Sequence, residues 1–295
     1  PILLVINTTP GGAVDTVGRL VAQRLRDRLG VNVVAENRAG GNGVIAGIAV
    51  QNAAPDGTTL LFGASIHALA GAIMRNPPYD PLTDFTPVAR VAEGPLLVVT
   101  APALPPAQRD LAGLAAAIRA NPAGFTFATS SLGAAGHLAI LSFNRVLGVD
   151  VPIASYRGSA PALIDLAAGT VQVMIDPILS SLPLARGGQI RAVAITASAR
   201  AAIAPEIPSV TEAGLPGLEF ASWYAVWGPR GMPAETTTAL NAALQQVMRE
   251  EVVVRRLSDL GFTPVAESPA AFAAHQAAEA ARGGELLRAS GFQPQ

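Results

Sequence analysis

A chain of 295 residues, half of them hydrophobic and only 14% charged, has apolar material enough for a sizeable core in one large or two medium domains. A net charge of −1 and a pI near 6.4, with no basic stripe, argue against nucleic acid and anionic membranes as partners. There is no cysteine, which excludes disulfides, thiolate metal sites and a cysteine nucleophile, and no apolar run long enough to insert in a membrane.

Ile2-Leu3-Leu4-Val5-Ile6 is a continuous apolar run of the kind that forms a strand buried on both faces. Val14, Val17, Val21 and Leu25 then fall at helical spacing in a segment ending near Gly30. Between them, Asn7-Thr8-Thr9-Pro10-Gly11-Gly12-Ala13-Val14-Asp15 reads as a strand-to-helix turn with two glycines at the helix entrance. Backbone N–H groups at such an entrance lack partners inside the helix and, with the helix dipole, suit an anion. The stretch also reads as an ordinary tight turn, with Asp15 a favourable first-turn charge.

Strands over 31–36 and 59–63 follow, with the loop Asn37 to Gly43 and a helix over about 44–53 between them. Asn76-Pro77-Pro78-Tyr79-Asp80-Pro81 cannot be helix interior. Leu96 to Thr100 reads as a strand, and Pro102, Pro105 and Pro106 mark a first crossing between domains. A second βα series then opens with a strand over 125–128 and the turn Thr129 to Leu138, which repeats the opening logic of strand, small polar loop, glycine and helix. Further strands are read over 153–156, 171–176 and 190–196, with a helix from Ser159 that ends at Gly169. Phe220, Trp223, Tyr224 and Trp227 form an aromatic cluster read as the return crossing, able to line a pocket or simply to pack. The remainder is helical in pattern, interrupted at Gly261-Phe262-Thr263-Pro264. Alternating βα units imply an α/β fold of mostly parallel sheets flanked by helices. The expected domains are residues 1–100 with 225–295, and 101–224. Hinges are expected near Thr100–Ala101 and Ala221–Trp223.

Motifs of catalysis are scarce. Gly41-Asn42-Gly43-Val44-Ile45-Ala46 matches a dinucleotide fingerprint but follows the second strand and lacks an acidic strand end some 20 residues on. There is no G-x-S-x-G elbow and no phosphate loop. His67, His137 and His275 show no metal spacing. His137, one turn into a helix, reads first as a residue that orders its loop.

Seven motifs stand in order along the chain: Thr9-Pro10-Gly11-Gly12, Glu36-Asn37-Arg38, Ala54-Pro55-Asp56-Gly57-Thr58-Thr59-Leu60-Leu61, Tyr79-Asp80-Pro81-Leu82-Thr83-Asp84-Phe85, Gly136-His137-Leu138, Tyr156-Arg157-Gly158-Ser159-Ala160-Pro161 and Pro208-Ser209-Val210-Thr211-Glu212. Together they resemble the Bug family, the periplasmic solute receptors of tripartite tricarboxylate transporters, over nearly the whole chain. The resemblance implies a two-domain Venus-flytrap receptor, not an enzyme, with a small organic carboxylate in its cleft and no cofactor, metal or catalytic residue. It implies a first ligand loop of Thr8, Thr9, Pro10, Gly11 and Gly12, and a second of Thr129, Ser130, Ser131 and Gly133. Ser65, His67, His137, Tyr156 and Asp176 complete the candidate ligand contacts. Where the family commonly leads into its first glycines with aromatic residues or proline, this chain has Asn7-Thr8-Thr9. The implied setting is periplasmic, with any signal peptide removed, as a monomer delivering ligand to membrane subunits. The alternatives are an α/β enzyme acting on a carboxylate, and a sensor using the same cleft for signalling.

Overall fold

The computed structural model describes residues 1–295. In chain order the elements are β1 (Ile2–Ile6), α1 (Ala13–Leu29), β2 (Val33–Asn37), α2 (Val44–Gln51), β3 (Thr59–Ala64), α3 (Ala70–Ile73), β4 (Phe85–Thr100), α4 (Leu111–Ala120), β5 (Phe127–Thr129), α5 (Ala135–Leu147), β6 (Ile153–Ser155), α6 (Ser159–Ala168), β7 (Val173–Pro177), α7 (Ile178–Arg186), β8 (Arg191–Ile195), β9 (Ala221–Pro229), α8 (Ala234–Arg249), α9 (Glu251–Asp259), β10 (Thr263–Pro264) and α10 (Pro269–Ala289). No helix is long and apolar enough to cross a membrane.

The chain divides into two compact units. The first holds Pro1–Glu93, Trp223–Glu285 and Gln293–Gln295; the second holds Gly94–Ser222 and Leu286–Phe292. The passage between them falls at Glu93/Gly94, before the proline-rich stretch that the sequence suggested, and at Ser222/Trp223. Two more passages follow near the C-terminus, so the chain crosses four times rather than twice. The last one is anchored: Gln295 donates its N–H to the Ile73 carbonyl and accepts from Arg75 N–H, both at 3.0 Å.

In the first unit, β1 lies between β2 and β3, parallel to both. β9 then pairs antiparallel with β3, in the order β2-β1-β3-β9-β4. β9 contains three of the four aromatics of the cluster, Trp223, Tyr224 and Trp227, and Phe220 stands just before it. Trp223, Ala225 and Trp227 alternate onto one face, into a core with Val5, Leu61, Tyr79, Phe85 and Phe272. Both tryptophans are essentially inaccessible; they pack rather than line a pocket. In the second unit, β5 lies between β6 and β7, parallel to both, while β4 pairs antiparallel with β7 and β8. Its core includes Leu97, Val99, Leu163, Leu166, Met174 and Ile195.

The expectation of mostly parallel sheets therefore holds for the βα units, but β4, β8, β9 and β10 add antiparallel pairings. β4 begins at Phe85, not Leu96, because its two halves serve different sheets. Ala92 and Glu93 pair with β10, and Leu96–Thr100 pair with β7 and β8. Pro87 and the Gly94-Pro95 step disguise a strand that sequence rules would break there. Buried Thr196 joins the second unit's ends of β4 and β9. Its Oγ1 accepts Leu96 N–H at 2.9 Å and donates to the Phe220 carbonyl at 2.6 Å.

Candidate functional site

In open α/β sheets, ligands bind beyond the carboxyl ends of the strands where the winding direction reverses. In the first unit that point lies between β1 and β3, and in the second between β5 and β7. The loops following these strands contain most of the residues singled out from sequence.

At the end of β1, Asn7 is buried, with its side chain wedged against two glycines. A Cβ on Gly43 or Gly63 would stand 2.7 or 2.5 Å from its Nδ2. Glycine at 43, with a φ of +93°, thus serves close packing under the loop before α2 rather than a nucleotide phosphate. Asn7 Oδ1 and Thr8 Oγ1 are buried without a hydrogen-bond partner, an arrangement that costs free energy unless a ligand or water completes it. Thr9, Pro10, Gly11 and Gly12 are exposed beyond them.

Asp15 organises this loop. Its Oδ2 accepts the Gly11 N–H at 2.9 Å, and its Oδ1 accepts Arg19 Nε and Asn37 Nδ2, each at 2.9 Å. Asn37 Nδ2 also donates to the Thr8 carbonyl at 3.0 Å. Burial opposes the Asp15 charge, but Gly11, Asn37 and Arg19 together hold its carboxyl below the usual range. One of the N–H groups read as free for an anion is therefore taken by the protein's own carboxylate. Gly12, the residue capping α1, has no side-chain cap and open space around its Cα.

Ser65 is half-buried in the turn after β3. His67 lies deeper. It packs against Phe85 and Trp227 with ring centroids at 4.7 Å and against Tyr79 at 5.5 Å. Burial pulls its pKa down to about 3, so it is a neutral core residue. His67 thus stands among the aromatic rings of the first unit's core, with its Nε2 buried and without a hydrogen-bond partner.

In the second unit, Thr129 is fully buried and donates its hydroxyl proton to the Ser131 carbonyl at 3.1 Å. The loop is stitched to the one after β6: Tyr156 N–H donates to Thr129 O at 2.9 Å, and Gly158 N–H to Ser130 O at 2.8 Å. Gly133 donates its N–H to His137 Nδ1 at 3.0 Å. Burial pulls His137 down to about 4, so it is neutral, and with Nδ1 accepting, the ring proton sits on Nε2. Tyr156 gives its hydroxyl proton to Asp165 at 2.7 Å, and burial with that carboxylate pushes its pKa up to about 12.

Asp176, at the end of β7, is fully buried among serines. Oδ1 accepts Ser159 Oγ at 2.8 Å, Oδ2 accepts Ser180 Oγ at 2.6 Å, and Ser130 also donates to the carboxylate. Burial raises its pKa to about 6 against the pull of the three hydroxyls. One carboxylate thus joins the loop after β5 to the starts of α6 and α7. Asn7, Asp15, Asn37, Ser159 and Ser180 were not among the candidates from sequence. Asn37, Ser159 and the buried first-turn Asp15 did lie in or beside the motifs quoted for the resemblance. No group of three or more His, Cys, Asp or Glu side chains stands close enough to share a metal.

The sequence matches the family described as "Tripartite tricarboxylate transporter family receptor" over residues 17–292. It is 35% identical to protein BugT of Bordetella pertussis over 271 residues, covering 91% of this chain and 82% of BugT. Among solved structures it resembles R. palustris Rpa4515 with adipate, at TM-score 0.92 and 36% identity, covering 100% of this chain and 98% of that one. MatC (Rpa3494) from Rhodopseudomonas palustris with bound malate matches at TM-score 0.86 and 33% identity, covering 97% and 98%. The periplasmic binding protein BugD matches at TM-score 0.88 and 29% identity, covering 100% and 99%.

Proposed function

We propose, from the premise that this chain belongs to the tripartite tricarboxylate transporter receptor family, that it is a solute receptor for a small organic carboxylate. The observation that carries the reading is Thr8 Oγ1 at the end of β1, a hydroxyl with a proton to give, buried without a partner beside the open entrance of α1. Relatives of the same fold with adipate and malate bound give the ligand class. In this reading the Thr8–Gly12 loop receives a carboxylate of the ligand. The receptor works in the periplasm as a monomer and hands its ligand to the membrane subunits of a tripartite transporter. It performs no chemistry on the ligand.

The energetics set what the loops must supply. Micromolar affinity corresponds to about 8 kcal/mol. A helix N-terminus contributes about 0.3–1 kcal/mol, up to about 2 when partly buried. Dipoles alone fall short, and hydrogen bonds to a charged group, about 1.5–3 kcal/mol each, make up the difference. Titration calorimetry of free acids against their amides or methyl esters tests the reading. The free acid is expected to bind at least tenfold more tightly, and equal affinity would overturn it.

A further inference from the structure

β2 is an open edge of the first unit's sheet: it pairs with β1 alone and ends the strand order. Arg38 gives its N–H to the Ile6 carbonyl at 2.8 Å, and the Asn32 carbonyl accepts the Ile2 N–H at 2.7 Å. Residues 32, 34, 36 and 38 therefore face β1, and the N–H and C=O groups of Val33 and Ala35 point outward with no strand to meet them. The two sides of this edge differ. Val34 stands level with Leu3, which packs toward α2. On that side Val34, Ile45 and Ile48 are exposed, and Ile45 leans over the loop after β2, where a Cβ on Gly40 would stand 2.5 Å from its Cδ1. On the other side lies α1, whose Asp15, Arg19, Ala22 and Arg26 share one helical stripe. Arg19 Nη2 donates to Asn37 Oδ1 at 2.6 Å, which sets this stripe over β2, with Arg26 about 10 Å further along. Both arginines are half exposed; buried Asp15 answers Arg19, and Arg26 has only its neighbour Asp27, at 3.7 Å.

We propose that the β2 edge binds an extended segment of a partner protein whose side chains alternate between apolar and acidic, adding a strand to the first unit's sheet. The backbone groups of Val33 and Ala35 pair with the segment. Its successive side chains point to opposite faces, the apolar ones toward Val34, Ile45 and Ile48 and the acidic ones toward Arg19 and Arg26. Charge decides against a second copy of this chain as the occupant. A two-fold pairing of β2 with itself places both α1 helices on one face and sets the two pairs of arginines against each other. A five-residue edge also falls well short of the roughly 1,200 Å² that a stable interface buries, so the partner is held transiently. The surface goes beyond the receptor reading and does not depend on the ligand.

Two acetylated nonapeptides test it, one alternating valine with glutamate and the other valine with lysine, each titrated into the full chain at low salt. The valine–glutamate peptide is expected to bind at least tenfold more tightly, and to slow hydrogen exchange of the Val33 and Ala35 amides at least tenfold. Ala35→Pro deletes one outward N–H at an edge position where proline is tolerated, and Arg26→Glu reverses one exposed charge. Each should weaken the valine–glutamate peptide at least tenfold with an unchanged melting temperature. Equal affinity for the two peptides, or unslowed Val33 and Ala35 amides at millimolar peptide, overturns the inference whatever the variants do. Sedimentation showing a dimer that Ala35→Pro abolishes gives the edge to a second copy and overturns it as well. None of these results touches the receptor reading, which carboxylate titration tests separately.

Discussion

Gly133 and His137 are joined by a hydrogen bond in which the glycine N–H donates to Nδ1 at 3.0 Å, closing the loop at the entrance of α5. The same relation recurs in the other unit, where Gly11 donates to the Asp15 carboxylate at 2.9 Å before α1. In both cases the third helical residue reaches back to the residue before the cap. A capping box uses similar geometry one position later. One unit closes its loop with an anion and the other with a neutral ring, so the two helix entrances differ in charge although their construction is the same.

That contrast predicts different responses to substitution. His137→Ala should lower stability by about 1–3 kcal/mol, because it strands a buried N–H, and the loss should be nearly independent of salt. Asp15→Ala should cost a similar amount, but should also free Asn37 and Arg19 and change with ionic strength. Urea denaturation at low and high salt separates them.

Gly12 offers a cleaner probe of the anion site. Nothing lies within 4 Å of a Cβ there, and its φ of −83° suits any residue. Gly12→Leu should therefore leave the melting temperature within a degree or two while weakening carboxylate binding more than tenfold. Unchanged affinity would remove the α1 entrance from the site.

Gly136 behaves in the opposite way. A Cβ there would fall far inside van der Waals contact with the Ile175 carbonyl, where α5 lies directly on β7. The neighbour is backbone and cannot rotate aside. Gly136→Ala should cost about 2–4 kcal/mol by forcing helix and strand apart, measurable by thermal unfolding without ligand.

Acid should act through the buried histidines. His67 titrates near 3 when folded and near 6.5 when unfolded, so the unfolded chain takes up its proton first. Its contribution is fully present above pH 6.5 and is lost as pH falls toward 3. Asp176, raised from 3.8 to about 6, acts with the other sign: its contribution is present below 3.8 and lost as pH rises through 6. His67→Met keeps an apolar side chain among Tyr79, Phe85 and Trp227 and should flatten the pH dependence of stability by about 2 kcal/mol between pH 6.5 and 5. An unaltered profile would place the acid sensitivity elsewhere.

Local pattern carried the βα units. The run Ile2–Ile6, the helical spacing of α1 and the glycine that ends α6 are short-range facts, legible because strand and helix periodicity leave their mark within a dozen residues. The ordered motifs carried the family for the same reason. The strands running between distant parts of the chain were not legible. β4 looks broken by Pro87 and Pro95, and β9 looks like a loose aromatic cluster until its partner β3, more than 150 residues away, shows why Trp223 and Trp227 alternate into one core. The candidate loops were visible as loops, but not how their protons are spent. Whether Gly11 N–H is free, whether His67 faces a ligand or a core, and which way the Ser130 proton points all depend on Asp15, on the ring cluster around Trp227 and on Asp176. Hydrogen-bond direction and burial are relations between residues brought together by folding, and only the tertiary structure decides them.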